Sequence, residues 1–158
     1  MTNQAKSRTI ALGSDHAGFE LKQAIRDLLI QQALNVEDFG TFSLESCDYP
    51  DYARKVAEAV SQGVCAKGIL VCGSGVGVSI VANKVRKVRA ALVSEVEAAI
   101  LSRQHNDANV LCLGARTTSQ GQAKEIIAAW LATEFEGGRH QRRINKIEQS
   151  RQGENLFG

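Results

Sequence analysis

Short apolar runs recur along the chain, and turn-forming residues separate them from longer segments with helical periodicity. Continuous apolar runs at residues 8–13, 67–73 and 109–114 are typical of strands buried on both faces of a sheet. A similar run at 89–94 predicts a fourth strand, and a weaker one at 35–40 predicts a fifth.

The segments between these strands carry apolar residues three and four positions apart, as amphipathic helices do. Helices are predicted over 19–30, from Asp48 and Pro50 to Val60, over 76–85, 95–103 and 123–131, and over 139–151 after two glycines. Strands that alternate with helices predict an α/β protein. We expect a single-domain three-layer sandwich built on a doubly wound, mainly parallel sheet of Rossmann-like type.

Length and composition are those of one ordinary globular domain. The chain has 158 residues, of which 44% are hydrophobic and 23% charged. We expect residues 1–151 to form the domain. Residues 152–158 are expected to be a disordered tail or a protease-site remnant, because "GENLFG" partly resembles such a site. A net charge of +2 is too small to indicate nucleic acid or an anionic membrane as partner.

The cysteines bear on the cellular compartment of the protein and do not indicate a metal site. No two of the four form a C-x-x-C pair, so the spacing of a zinc or thioredoxin-type site is missing, and no metal or cofactor is expected. The first residues are polar and carry no export signal. Free thiols without such a signal predict a cytoplasmic protein.

In a doubly wound sheet, ligands bind outside the carboxyl ends of the strands. The first predicted strand ends at Ser14, Asp15 and His16, and Asp15 is either a ligand contact or a cap for the next helix. The other candidates at this edge are residues 72–77, the end of the 89–94 strand, and residues 114–116 with Arg116.

Residues 70–80, "LVCGSGVGVSI", hold alternating glycines at the predicted start of a helix. The spacing matches neither a dinucleotide fingerprint nor a Walker loop. Backbone N–H groups at a helix start favour an anion or a developing negative charge, so Gly73, Gly75, Val76 and Gly77 are candidates to hold one. The alternative is a tight turn that packs a helix close to a strand.

Cys72 stands immediately before this loop. A thiol at a helix N-terminus is more acidic than a free one, which suits a base or a nucleophile. A cysteine at a strand end is also commonly a packing residue, and the sequence leaves both interpretations open.

Two further polar segments lie towards the C-terminus. His105 and Asn106, in "SRQHNDAN", are either loop residues with chemical roles or ordinary turn formers. Arg139 and Arg143 lie four residues apart on the last helix, where two guanidinium groups suit a phosphate. A solvated charged face is the alternative. His140, Ile144 and Ile147 form the opposite stripe and are expected to pack on protein.

Taken together, "GSDHAGFELK", "DYPDYA", "CGSGVGVSIVANK", "LSRQHNDANVL" and "EGGRHQRR" resemble the sugar-phosphate isomerases of the ribose-5-phosphate isomerase B and galactose-6-phosphate isomerase type. The segments occur in the family's order and span nearly all of residues 8–147. The resemblance implies a metal-independent aldose–ketose isomerase of the pentose phosphate pathway. It would interconvert D-ribose 5-phosphate and D-ribulose 5-phosphate through an enediolate.

The resemblance also implies roles for the candidate residues. Cys72 would be the base that moves a proton between C1 and C2, and Val78 stands where a second branch of the family has a glutamate. His105 would open the sugar ring, Ser74 would assist, and Arg139 and Arg143 would hold the phosphate. The remaining contacts to the substrate would come from Asp15, His16, Asn106, Arg116 and the glycine loop.

The family implied by the resemblance forms homodimers or dimers of dimers and shares its site across the interface, with His105 and Asn106 from the neighbour. With the arginines on the phosphate, the loop amides are free to stabilise the enediolate oxygen. Three alternatives remain open: an isomerase for allose or galactose 6-phosphate, a non-catalytic sugar-phosphate or nucleotide binding module, and a redox-sensing thiol protein. The last lacks a resolving cysteine near Cys72 in the sequence.

Overall fold

Five parallel strands form one sheet in the computed structural model, which describes residues 8–150. The strands are β1 (Thr9–Ser14), β2 (Asn35–Asp38), β3 (Lys67–Cys72), β4 (Ala90–Leu92) and β5 (Val110–Gly114). Their order is β2-β1-β3-β5-β4, and every neighbouring pair is parallel. The predicted doubly wound sheet is confirmed, and within the described residues it is wholly parallel.

In the described part of the chain, six helices connect and follow the strands. They are α1 (Phe19–Gln31), α2 (Tyr49–Ser61), α3 (Val76–Asn83), α4 (Val96–Asn106), α5 (Gln120–Ala132) and α6 (Arg139–Ser150). Pro50 lies in the first turn of α2, as predicted. Helix α4 ends three residues later than predicted, so His105 and Asn106 are its last two residues and not loop residues.

The helices cover both faces of the sheet and give the expected three layers. Along each strand the buried side chains alternate between two clusters. Ile69 and Leu111 face α1, α4 and α5, with the fully buried Trp130 on α5. Leu70 and Cys112 face α2 and α3.

Helix α6 packs on the end of α4. Of its predicted apolar stripe, His140 and Ile144 are buried, whereas Ile147 is 43% exposed. An ion pair of 3.0 Å joins Arg89 Nη1, just before β4, to Glu148 Oε1 on this helix. The prediction that this stripe packs on protein is therefore right for two of its three residues.

The expected tail, residues 152–158, lies outside the described residues. In the part of the chain that the structure describes, no helix combines the length and the apolar character needed to cross a bilayer.

Candidate active site

A pocket opens at the carboxyl ends of β1 and β3, two neighbours in the sheet. From β1 the chain leaves towards β2 on one side, and from β3 it leaves towards β4 and β5 on the other, so this is the switch point where such sheets bind ligands. The pocket has a volume of about 180 Å³. Its lining residues come from four segments of the chain: Asp15, His16, Ala17, Tyr49, Cys72, Gly73, Ser74, Gly77 and Arg116.

Cys72 is the last residue of β3, and its side chain lies against the pocket with only 4% of its surface exposed. The backbone N–H of Gly75 donates a hydrogen bond of 3.1 Å to Cys72 Sγ. This N–H belongs to the residue that precedes α3, so the sulfur is held beside the N-terminus of that helix. Cys72 is therefore both a packed residue and a residue of the pocket.

The glycine loop takes a conformation that only glycine allows at Gly75. This residue has φ +78°, and a Cβ there would lie 2.5 Å from Leu92 Cδ1 and 2.9 Å from the carbonyl carbon of Leu113. Directly after it α3 begins, and the N–H of Val76 donates to Ser74 Oγ over 3.2 Å. Gly77 lines the pocket in the first turn of α3, where N–H groups have no partner further back in the helix.

The segment after β1 supplies a carboxylate and an oriented imidazole. Asp15 Oδ1 accepts a hydrogen bond of 3.0 Å from the N–H of Gly18, so this pocket residue also holds the start of α1. His16 Nδ1 accepts the N–H of Cys47 over 3.2 Å. An imidazole that accepts at Nδ1 carries its proton on Nε2, which leaves that nitrogen as a donor. The Cys47 side chain also contacts this histidine, with Sγ 3.9 Å from His16 Nδ1.

Arg116 and Tyr49 complete the pocket through close contacts with glycines. The Arg116 guanidinium lies over Gly73, where a Cβ would be 3.1 Å from Arg116 Cζ, and the Arg116 N–H donates to Gly73 O over 3.0 Å. The Tyr49 ring lies against Gly77, where a Cβ would come within 2.6 Å of its Cζ. Tyr49 was not predicted to line the pocket, although "DYPDYA" was among the segments that carried the resemblance.

A second polar cluster lies at the ends of two helices. The rings of His105 on α4 and His140 on α6 are stacked, with centroids 4.4 Å apart and planes 17° from parallel. Arg143 Nη1 lies 3.3 Å from His140 Nδ1, and Arg139 begins the same helix. Asn106 follows His105 directly, and its carbonyl accepts a hydrogen bond of 2.9 Å from Arg89 Nε.

The two groups occupy opposite edges of the sheet. Helix α4 leads from the carboxyl end of β4 to the amino end of β5, so His105 and Asn106 lie at the amino edge. The pocket lies at the carboxyl edge, and the length of β5, ~13 Å at ~3.3 Å per residue, separates the two. The structure therefore brings Asp15, His16, Cys72, Ser74 and Arg116 together, but not His105, Asn106, Arg139 and Arg143 with them.

Two residues of the predicted loop do not line the pocket. Gly75 shapes the turn, and the side chain of Val76 is 47% exposed on α3. Cys65 and Cys112 do not line the pocket either. Burial, and then the carboxylate of Glu37, raise the pKa of the Cys65 thiol to about 12. Burial and then the neighbouring Cys72 raise the pKa of Cys112 well above its usual range.

His140 is the histidine whose charge state the structure most clearly influences. Burial, and then the charges of Arg139, His105 and Arg143, lower its pKa, against an opposing effect of Glu136. Its Nε2 lies 3.8 Å from Glu136 Oε2, too far for a hydrogen bond, and has no hydrogen-bond partner within residues 8–150. The ring is therefore neutral near pH 7 and buried between α4 and α6.

One group of side chains has the composition of a metal site. His105, Glu136 and His140 bring one ligand atom each within 4.8 Å of the others. The two imidazole rings are nearly parallel, however, and the nitrogen lone pairs lie in the ring planes, so they do not converge on one point. Arg139 and Arg143 add positive charge beside the cluster. Neither the geometry nor the charge fits a divalent ion.

The fold and the pocket define a doubly wound α/β protein with a polar pocket at the switch point of its sheet, lined in part by a thiol at the end of an inner strand. The family model described as "Ribose/Galactose Isomerase" matches residues 10–147. The chain belongs to this family, as its five segments predicted.

Relatives of known name agree with this assignment. The chain is 51% identical to "Ribose-5-phosphate isomerase B" of Escherichia coli (strain K12) over 140 residues, covering 89% of this chain and 94% of that protein. A solved structure of Clostridium thermocellum ribose-5-phosphate isomerase B superposes with a TM-score of 0.90 at 49% identity, covering 91% and 97% of the two chains. The same enzyme from Mycoplasma genitalium, solved with bound ribulose-5-phosphate, has a TM-score of 0.88 at 44% identity, covering 92% and 97%.

Proposed function

We propose that this protein is an aldose–ketose isomerase that interconverts D-ribose 5-phosphate and D-ribulose 5-phosphate, a step of the pentose phosphate pathway. The observation that carries the proposal is the Cys72 thiol. It lies at the switch-point pocket, accepts the Gly75 N–H, and shares that pocket with His16, Ser74 and Arg116. Relatives named as ribose-5-phosphate isomerase B cover nearly the whole chain.

The chemistry assigned to the pocket is a proton transfer between two carbons of an open-chain sugar. The Cys72 thiolate takes the proton from C2 of the aldose and returns it to C1, while the hydroxyl proton moves from O2 to O1. Charge builds up on oxygen in the enediolate between these steps. The N–H groups of Gly75 and Val76 already donate to Cys72 Sγ and Ser74 Oγ. We therefore assign stabilisation of the enediolate oxygen to the N–H of Gly77 in the first turn of α3.

The second cluster supplies ring opening and phosphate binding in this proposal. His105 is the acid–base group for the ring oxygen, Asn106 contacts the sugar, and Arg139 and Arg143 pair with the phosphate. These groups lie at the opposite edge of the sheet from Cys72 in the same chain. We therefore assign each complete site to two chains, with the pocket from one and the cluster from its neighbour.

A patch of exposed apolar side chains beside the pocket supports such a homodimer. Val76 and Ile80 lie one turn apart on α3, and Leu92 packs against the turn at Gly75; they are 47%, 54% and 44% exposed. A twofold interface through this patch would present the same surface of both chains to each other and form two equivalent sites. A dimer of such dimers is compatible with the same contact.

Metal-independent catalysis in the cytoplasm belongs to the same proposal. Cys47, Cys65, Cys72 and Cys112 are all free thiols, as is usual in a reducing compartment. The reaction needs a base, an acid and donors to oxygen, and the residues of the two groups provide all three.

The experiment that tests the function is isotope exchange in ²H₂O with a chelator present. Ribose 5-phosphate, allose 6-phosphate and galactose 6-phosphate are each incubated with the protein, and NMR follows deuterium at C1 and C2. We expect deuterium exchange and ketose formation to be faster with ribose 5-phosphate than with either six-carbon phosphate. Faster exchange with a six-carbon phosphate would move the assignment to that substrate, and binding without any exchange would indicate a non-catalytic binding module.

A further inference from the structure

We propose that His140 is a positioning residue that connects Arg143, at the phosphate end of the substrate, to His105, at the ring end. The inference rests on the proposed function, because the roles of Arg143 and His105 come from there. His140 itself is only 4% exposed and reaches the substrate only through these two neighbours.

The face and the edge of the His140 ring contact different side chains. One face stacks on the His105 ring, with a centroid distance of 4.4 Å. At the edge, Nδ1 lies 3.3 Å from Arg143 Nη1. One buried ring thus touches two of the functional side chains of the cluster, His105 from α4 and Arg143 from its own helix α6.

The position of the proton on His140 follows from these contacts. A guanidinium can only donate, so Nδ1 of His140 has to accept, and the proton of the neutral ring is on Nε2. Glu136, whose carboxylate is 3.8 Å from Nε2, is the acidic group that faces this proton. Arg139, Arg143 and His105 are the positive or titratable groups around the ring, and with burial they favour its neutral form.

The two contacts predict two separable effects. The hydrogen bond from Arg143 limits the orientations of the guanidinium and prepares it for a phosphate, which contributes to binding. The stack limits the orientations of the His105 ring and holds it for transfer of a proton at the sugar ring oxygen, which contributes to turnover. Loss of one contact should therefore change one kinetic constant and leave the other nearly unchanged.

Two substitutions separate these contacts. His140→Phe keeps an aromatic ring under His105 but has no acceptor for Arg143. We expect KM for ribose 5-phosphate to rise about tenfold, with kcat within about twofold of wild type, since a hydrogen bond to a charged group is lost. His140→Asn keeps an acceptor at the position of Nδ1 but removes the stack. For this variant we expect kcat to fall roughly three- to tenfold with little change in KM.

The control is Gln141→Ala, an exposed neighbour on α6 whose side chain binds Asn145 on the same helix. It should leave both constants at their wild-type values. Equal changes of kcat and KM in the Phe and Asn variants, or wild-type constants in both, would overturn the inference.

Two NMR measurements test the inference independently of catalytic activity. In the wild-type protein, imidazole ¹⁵N shifts should identify His140 as the Nε2–H tautomer; an Nδ1–H tautomer would refute the contact with Arg143. The ring protons of His105 should carry a ring-current shift that persists in His140→Phe and disappears in His140→Asn. An unaltered His105 signal in the Asn variant would refute the stack. Failure of the proposed function would give a different result: the wild-type protein would not exchange deuterium into any of the sugar phosphates.

Discussion

The pocket and the second cluster differ in how the chain holds them. In the pocket, main-chain groups fix the functional side chains: Gly75 N–H holds Cys72 Sγ, Cys47 N–H holds His16, and Asp15 binds Gly18 N–H. In the cluster, side chains hold each other, as in the stack of His105 on His140. The comparison indicates that the pocket is built with the sheet, whereas the cluster depends on the packing of two helix ends.

Replacement of the thiol should have the largest effect. We expect Cys72→Ala to bind ribose 5-phosphate with nearly unchanged affinity and to lose turnover and C2 proton exchange by about three orders of magnitude, as is typical when a general base is removed. Calorimetry and exchange into ²H₂O measure the two properties. Cys65→Ala is the matched control, because it removes a buried thiol that does not line the pocket. Wild-type turnover in Cys72→Ala would exclude this residue as the base.

Mixed dimers test whether the two regions act across an interface. Cys72→Ala and His105→Ala chains, each nearly inactive alone, are unfolded together, refolded and assayed. Random pairing makes half of the dimers mixed, and each mixed dimer has one intact site, so roughly a quarter of the wild-type activity should return. If no activity returned although mixed dimers were present, the shared site would be wrong.

Loss of one arginine of the cluster should affect binding more than chemistry. We expect Arg139→Ala to raise KM for ribose 5-phosphate by about ten- to a hundredfold, the range for a hydrogen-bonded charge pair, and to change kcat little. Steady-state kinetics measure both. Arg142→Ala, on the same exposed helix but outside the proposed site, should behave like wild type. Equal KM values for the two variants would argue against phosphate binding by Arg139.

The smallest expected effect concerns stability at high pH and is unrelated to either region. Burial, and then Glu37, raise the pKa of Cys65 from 9.0 to about 12. Between these values the unfolded chain loses the thiol proton while the folded protein keeps it. The contribution of this protonated thiol to the free energy of unfolding is therefore fully present below pH ~9. Above that pH the free energy of unfolding falls by up to about 1.4 kcal/mol per pH unit. Urea unfolding of wild type and Cys65→Ala at pH 8 and pH 10.5 should show a steeper loss in the wild type, and parallel losses would contradict this.

The sequence predicted the pocket better than the cluster, for physical reasons. The apolar run 67–73 and the glycines after it are local signals, and the rule for doubly wound sheets then places Cys72 at a ligand site. Tyr49 was missed because its place in the pocket depends on contact with Gly77, far away in sequence.

The end of α4 was also placed incorrectly from sequence. The helix continues to Asn106 because Arg103, buried at its end, binds Asp107 Oδ1 at 2.8 Å and the carbonyl of Ala108 at 2.7 Å. Asp107 then takes φ +45° and ends the helix in the left-handed region. Both contacts are local, four and five residues along the chain, but they accompany the burial of Arg103, whose Nε also donates to the carbonyl of Thr133 over 3.3 Å. The sequence does not show that burial, and the polar residues of this segment are typical of a turn. The stack of His105 on His140 had no local signal at all.

The placement of α6 has a consequence for the behaviour of the protein on heating. Within residues 8–150 this helix packs chiefly on α4, whereas β3 is hydrogen-bonded on both sides, to β1 and β5. Elements with few neighbours open locally at a lower free energy than the centre of a sheet. We therefore expect backbone amides of α6 to exchange with solvent far sooner than those of β3, and heat inactivation to precede unfolding. If Arg139 and Arg143 hold the phosphate as proposed, a warmed sample would lose affinity for it while its circular dichroism still showed an intact sheet.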